Sequence, residues 1–178
     1  MAKTVFEIRF ESILPHFSKN GVDHVEFYIS TNPGEPLKPL SKIASGGELS
    51  RIMLALKSIF SKHQGVTSII FDEVDTGVSG RVAQSIAEKI YNVAVDSQVL
   101  CISHLPQVAA MADTHLFISK VTKGGRTKTS VSPLSIEEKI KEIGRMISGA
   151  EITDLTKKHA EELLFLASEN KKIEKLPN

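Results

Sequence analysis

The sequence predicts an α/β fold with a mainly parallel sheet flanked by helices and with antiparallel strands added. Short apolar runs alternate with amphipathic helical stretches through the middle of the chain, which is the pattern of a parallel sheet covered by helices. Residues 4–12 and 21–30 alternate apolar and polar side chains, and a Gly-Gly pair at 124–125 joins two further extended segments. Both features indicate antiparallel strands, because adjacent glycines permit the positive φ angles of a tight hairpin turn.

The predicted elements follow in order along the chain. Two N-terminal strands lead into a loop over 31–40, which contains three prolines and a glycine. The later elements are a helix at 46–62, a strand at 67–73, a helix at 79–95, a strand at 98–103, a short helix at 105–112, hairpin strands at 114–121 and 129–134, and helices at 135–147 and 153–167. Residues 1–170 are expected to form one domain, and residues 171–178 a tail.

Composition and charge bound the function classes. The chain has 178 residues, which suffice for a domain with a sizeable core. Its 22 Lys and Arg against 21 Asp and Glu give a net charge of +1, so bulk charge does not indicate nucleic-acid binding and leaves only a local basic patch open. The single cysteine, Cys101, excludes an intrachain disulfide and lies in an apolar strand, where a packing role is expected. With no signal-like or membrane-spanning apolar run, a cytoplasmic location is expected.

Residues 71–75 read FDEVD, an apolar strand that ends in acids. Asp72 at such a strand end can hold Mg²⁺ through its oxygens, and Glu73 can orient or deprotonate a water. A solvated acidic strand end explains these letters equally well when they are taken alone. Helicase boxes share the D-E-x-D form and aspartic proteases share the D-T-G triplet, but Asp75 lacks the apolar lead-in that the protease motif needs.

His104 follows the next apolar strand. Because adjacent parallel strands end side by side, its imidazole can contact a terminal phosphate held beside Asp72. The alternative is a histidine that caps the following helix or is half buried. The other histidines show no metal-binding spacing, so no zinc site is expected.

Residues 45–48 read SGGE and precede a helix. Ser45 and Glu48 have the spacing of a capping box. That box leaves Gly46 and Gly47 unexplained, although each glycine costs about 1 kcal/mol in a helix relative to alanine. Glycines here make sense if an anion must approach the N–H groups at the helix start, so the stretch also predicts a phosphate contact.

A P-loop is missing from the sequence. The motif G-x-x-x-x-G-K-[S/T] occurs nowhere, and the nearest similar stretch, KGGRTKTS, has adjacent glycines and the wrong spacing. The chain therefore has acids, a histidine and a phosphate contact, but no loop and lysine to hold a nucleotide.

The order and spacing of these motifs resemble those of ABC-type ATPases. SGGE is similar to their signature motif, SIIFDE to their Walker B, Asp75 to their D-loop residue and His104 to their switch histidine. Within that superfamily, PLSKIASGGELSRIMLALK, IIFDEVDTGVSGRVA and CISHLPQVAAMAD resemble the RecN family of SMC-like bacterial DNA-repair ATPases. The resemblance runs from about Gly21 to Val121.

The resemblance implies a fold and a role for each motif residue. The fold would be the C-terminal lobe, or half, of an ABC/SMC-type P-loop NTPase head, with ATP and Mg²⁺ as cofactors. Asp72 would hold Mg²⁺, Glu73 would activate the attacking water and His104 would sense the γ-phosphate. The residues implied to contact ATP bound to a second head, or to lie across that interface, are Ser45, Gly46, Gly47, Glu48 and Asp75.

The resemblance also implies a function and partners. The longer protein would repair DNA double-strand breaks in the bacterial cytoplasm, at the nucleoid, and hydrolyse ATP at composite sites between two heads. Its partners would be a second head, the N-terminal Walker A half and DNA, with no membrane. The Walker A half and the coiled-coil arms have no counterpart in this sequence, so the chain alone is expected to be inactive. Two alternatives remain open: an interaction module that does not hydrolyse ATP, and a nucleotide-binding fragment of an ABC transporter.

Overall fold

The computed structural model describes residues 4–12, 15, 17–31, 34–42, 46–64, 68–149 and 151–174, with side chains described for all but 61–64 and 173–174. It forms two compact units, residues 1–49 and 50–178. The strands are β1 (Val5–Ser12), β2 (Asp23–Ser30), β3 (Lys38–Pro39), β4 (Ser68–Phe71), β5 (Gln98–Cys101), β6 (Leu116–Lys123) and β7 (Arg126–Pro133). The helices are α1 (Gly46–Gln64), α2 (Gly80–Ala94), α3 (Pro106–Met111), α4 (Ile136–Ser148) and α5 (Asp154–Glu174).

The first unit is an antiparallel meander. β1 and β2 pair along their whole length, from Val5 opposite Ser30 to Ser12 opposite Asp23, as their alternating pattern predicts. β3 adds two residues to the other edge of β2, with Pro39 opposite Tyr28. The predicted loop over 31–40 therefore contains a short strand. An edge strand tolerates proline because the missing N–H faces away from the sheet.

A parallel pair lies at the centre of the second unit. β4 and β5 are in register from Ser68 opposite Gln98 to Phe71 opposite Cys101. α2 connects them, since parallel strands need a long crossover. Among the described strands this is the one parallel pairing, and the other pairings are antiparallel. It is also the described pair whose two strands are joined by a helix. The predicted α/β class is confirmed.

Helices pack around this pair. α2 buries one face, which includes Ile86, Ile90 and Tyr91, against a core that α3, α4 and α5 share. In α1, Ile52 is buried and Phe60 is exposed. No helix among the described residues is long and apolar enough to cross a membrane.

β6 and β7 form the predicted hairpin. Their eight residue pairs run from Leu116 opposite Pro133 to Lys123 opposite Arg126. The turn residues Gly124 and Gly125 have φ angles of 60° and 75°, the positive values that a two-residue turn of this kind requires at both positions.

α5 is longer than the sequence predicts. It continues beyond residue 167 to Glu174, so the start of the expected tail is helical. Contacts with the rest of the unit explain the extension: the Lys171 ammonium lies 2.7 Å from an Asp113 carboxylate oxygen and 5.2 Å from the centre of the Tyr91 ring. The Asn170 amide also donates to Glu88 at 3.3 Å.

Candidate active site

The carboxyl ends of β4 and β5 lie at one edge of the parallel pair. The Ile102 N–H donates to the Phe71 carbonyl at 2.9 Å, which continues the parallel ladder one residue past the end of β5. Asp72 and Glu73 follow one strand, and His104 follows the other after two further residues. The predicted juxtaposition of these strand ends is confirmed. Ligands bind at such edges in open α/β sheets because the loops after the strands converge there.

The two acidic side chains at this edge are available to a ligand. Asp72 and Glu73 are exposed, and neither carboxylate has a hydrogen-bond or ion-pair partner among the described residues. Glu73 has a φ angle of 55°, in the left-handed region that costs about 1 kcal/mol or more for a residue with a Cβ atom. Its carbonyl accepts from the Thr76 N–H at 3.2 Å, so a tight turn maintains this conformation.

Asp75 faces the interior. Its side chain is 1% exposed, and its Oδ2 atom accepts from the Ser103 hydroxyl and from the His104 N–H, the latter at 3.2 Å. The Ser103 Oγ in turn accepts from the Leu105 N–H at 3.1 Å. We call Asp75, Ser103, His104 and Leu105 the Asp75 network. This network joins the turn after β4 to the loop after β5.

The predicted place of Asp75 across an interface with a second head stays a prediction. In this chain its carboxylate is buried and accepts two hydrogen bonds. Its inward direction follows from its neighbour: Val74 is fully buried, so the turn after Glu73 folds back into the core.

His104 presents its ring to solvent. The side chain is 68% exposed, and Nδ1 lies 3.6 Å from Asp75 Oδ2. Leu105 is the N-cap of α3, so His104 does not cap that helix. The exposure of its side chain shows that His104 is not half buried either. Because Nδ1 faces Asp75, Nε2 is the ring nitrogen that a phosphate can reach.

Two further residues at this site were not predicted from the sequence. Arg51, on α1, donates to the carbonyl of Thr76 at 2.9 Å and so supports the turn that contains Glu73. Ser103 links Asp75 to the start of α3. A serine directly before a strand-end histidine is a signal that points to Ser103; nothing in the sequence points to Arg51, since its partner is a backbone carbonyl.

The glycines of the signature-like stretch lie at the start of α1. The helix begins at Gly46, which is exposed, while Gly47 is buried and Glu48 is partly buried. Ser45 lies outside the described residues, and so does the predicted capping box between Ser45 and Glu48. The first four residues of α1 belong to the first unit, and the site at β4 and β5 belongs to the second.

The donor set fits Mg²⁺ bound together with phosphates. Among the described residues there is no group of three or more His, Cys, Asp or Glu side chains that could hold a metal ion. Mg²⁺ needs less from a protein, since one or two carboxylates suffice when phosphates and waters complete its octahedron. The exposed carboxylate of Asp72 is of the type that can serve as such a ligand.

Cys101 is a packed thiol beside this site. Burial is the main reason that its pKa is raised to about 12, and the negative charges of Asp75 and then Asp72 raise it further. A thiol with so high a pKa is protonated at neutral pH and is a poor nucleophile. The predicted packing role agrees with this environment.

We therefore expect Cys101 to resist alkylation while the chain is folded. At pH 8 its thiolate fraction should be on the order of a thousandfold lower in the folded chain than in urea, because an unfolded thiol has a pKa near 8.5. Iodoacetamide labelling followed by mass spectrometry measures the two rates. Equal rates with and without urea would contradict the buried environment of the thiol.

Curated relatives resemble nearly all of the chain. It is 70% identical over 171 residues to the DNA repair protein RecN of Halalkalibacterium halodurans, which covers 94% of this chain and 30% of that protein. It is 71% identical over 154 residues to RecN of Bacillus subtilis, covering 86% and 27%. The chain belongs to the RecN family. It spans less than a third of the length of these relatives, and no family model matches it.

Solved structures show the fold of this RecN segment. The Smc head domain of Pyrococcus yayanosii matches 78% of this chain and 25% of its own, with a TM-score of 0.56 and 22% identity. A chain described under ATP-driven dimerization and DNA-stimulated activation of SMC ATPases matches 80% of this chain and 81% of its own, with a TM-score of 0.50 and 22% identity. These structural matches confirm the predicted fold, the C-terminal lobe of an SMC/ABC-type head.

Proposed function

We propose that this chain is the C-terminal half of the ATPase head of a RecN-like protein that repairs DNA double-strand breaks. The observation that supports the proposal is the edge of the β4–β5 pair, where two exposed carboxylates follow one strand and an exposed histidine follows the other. The names of the relatives, DNA repair protein RecN, support the cellular role. Because the sequence contains no Walker A motif, we propose hydrolysis for the longer protein and none for this chain alone.

In the proposed mechanism, residues at this edge divide the work between binding and proton transfer. Asp72 would hold Mg²⁺ through a carboxylate oxygen, and the ion would neutralise phosphate charge. Glu73 would orient the attacking water and accept its proton. His104 would donate from Nε2 to the γ-phosphate. Positioning and charge stabilisation account for most of the rate in such phosphoryl transfers.

The signature-like stretch would complete the site of a second head. The N–H groups at the start of α1 and its partial positive charge suit an anion, and Gly46 is exposed there. We therefore propose that Ser45, Gly46 and Gly47 contact the γ-phosphate of ATP bound to another copy. Two heads would then form a two-fold dimer with two composite sites. A neighbour described under ATP-driven dimerization of SMC ATPases supports this arrangement.

A mixing experiment tests the composite site. In a full-length RecN chain that carries this segment, Gly46→Asp should disable the signature by repelling phosphate, while an acidic residue remains favourable at a helix start. Glu73→Gln should disable the water-activating side. Each variant alone should be almost inactive. An equal mixture should regain about a quarter of the native turnover, because half of the dimers are mixed and each mixed dimer has one intact site.

The controls for this experiment are the unmixed Gly46→Asp and the unmixed Glu73→Gln proteins, each at the total concentration of the mixture. Turnover is measured by phosphate release with ATP and Mg²⁺. Activity in the two-variant mixture that stays at the level of the single variants would show that both functions act within one head, and the composite site would be wrong.

A further inference from the structure

The β6–β7 hairpin concentrates positive charge. Residues 114–136 contain four basic side chains and no acidic one, although the whole chain has a net charge of only +1. The remainder of the chain is therefore net negative, at −3. The four basic residues are Lys120, Lys123, Arg126 and Lys128, and all four are exposed.

Three of these cations share one face at the tip of the hairpin. Lys123 lies directly opposite Arg126, and Lys128 occupies the next pair on the same face, opposite Val121. Like charges directly opposite each other destabilise a strand pair. Among the described residues none of the three forms an ion pair that would offset this repulsion. We call Lys123, Arg126 and Lys128 the basic tip.

Hydroxyl groups continue this face toward the base of the hairpin. Ser119 and Ser130 are paired there, with their Oγ atoms 2.7 Å apart. Serine hydroxyls and basic side chains are the groups that contact phosphate oxygens in protein–DNA complexes. Aromatic residues are missing from the sequence between 118 and 131, so the tip cannot stack on unpaired bases as single-strand binders do.

We propose that the basic tip binds the phosphate backbone of duplex DNA without reading its sequence. Its repelling charges are relieved when phosphates lie between them, and counterion release from the duplex drives the association. The choice of DNA among polyanions rests on the proposed function, whereas the anion site itself rests on the charge and register of the hairpin.

The test is the affinity of the 178-residue chain for a fluorescein-labelled duplex, measured by fluorescence anisotropy without ATP. The double variant Lys123→Gln, Arg126→Gln should raise Kd by about tenfold at about 50 mM KCl and make the slope of log K against log salt less negative by about 2, so that most of the difference in Kd disappears by about 200 mM. The matched control Lys157→Gln, Lys158→Gln removes two exposed charges from α5 and should change Kd less than about twofold. The swap Lys123→Arg, Arg126→Lys keeps both charges and should keep the native Kd.

Several outcomes would overturn the proposal. An unchanged Kd in the double variant would show that the tip does not bind DNA, and an equal loss in the α5 control would show that bulk charge alone is responsible. Tighter binding to poly-glutamate than to the duplex would assign the tip to an acidic protein partner. Thermal melting of each variant identifies misfolding, in which case the swap variant decides. Since no nucleotide is present, failure here leaves the composite ATP site standing, and failure of the mixing experiment leaves this result standing.

Discussion

Replacing Glu73 by glutamine in a full-length RecN chain that carries this segment is expected to abolish ATP turnover. The amide keeps the size and the turn but cannot accept a proton from the attacking water, and general-base catalysis contributes about 100-fold or more to such reactions. The free carboxylate on a strained turn beside Asp72 is the structural reason to expect so large an effect. Because binding does not require that proton transfer, ATP-dependent pairing of the heads should persist longer than in the native protein.

The measurements are the rate of phosphate release and, by size-exclusion chromatography with ATP, the fraction of paired heads. Glu137→Gln is a matched control, since Glu137 is an exposed glutamate on α4 with no partner among the described residues. It should leave kcat unchanged. Normal hydrolysis by the Glu73→Gln protein would rule out Glu73 as the base and would remove the main support for the proposed site.

The second large effect is expected from Asp75→Ala. It removes the acceptor for the Ser103 hydroxyl and the His104 N–H, and unpaired buried donors are costly. The free energy of unfolding should fall by about 2–3 kcal/mol, in line with hydrogen bonds to a charged group. The His104 amide should also exchange its hydrogen faster than in the native chain, because its acceptor is gone.

Urea unfolding and amide hydrogen exchange of the 178-residue chain measure the two effects. Asp75→Asn should rescue part of the stability, since one amide oxygen can still accept at this position. Asp96→Asn is the control, since Asp96 is exposed and has no partner among the described residues. Native exchange at His104 in the Asp75→Ala chain would show that Asp75 does not position this loop, even if stability were lost.

Sequence reasoning succeeded where a local pattern determines the structure. The apolar run before Asp72 and the one before His104 both predict strands, and parallel pairing then requires their ends to meet. The glycine pair at 124–125 predicts the hairpin because few other residues adopt two successive positive φ angles. The predicted roles of the site residues stay proposals.

Sequence reasoning was insufficient where long-range contacts decide. The letters around Asp75 do not show which way its carboxylate faces within the chain; the burial of Val74 and the donors at Ser103 and His104 direct it to the core. In the same way, the helical start of the expected tail depends on Asp113 and Tyr91, which lie far from it in sequence and make no local pattern with it.

The positive φ angle of Glu73 has a consequence for how substitutions there would be tolerated. A glycine at this position would relieve backbone strain of about 1 kcal/mol and would leave the fold more stable than the native chain. It would also remove the exposed Glu73 carboxylate, which follows Asp72 directly at the strand end. A screen for stability would therefore favour glycine at position 73, and a screen for activity would reject it. This disagreement between the two screens would itself mark Glu73 as functional.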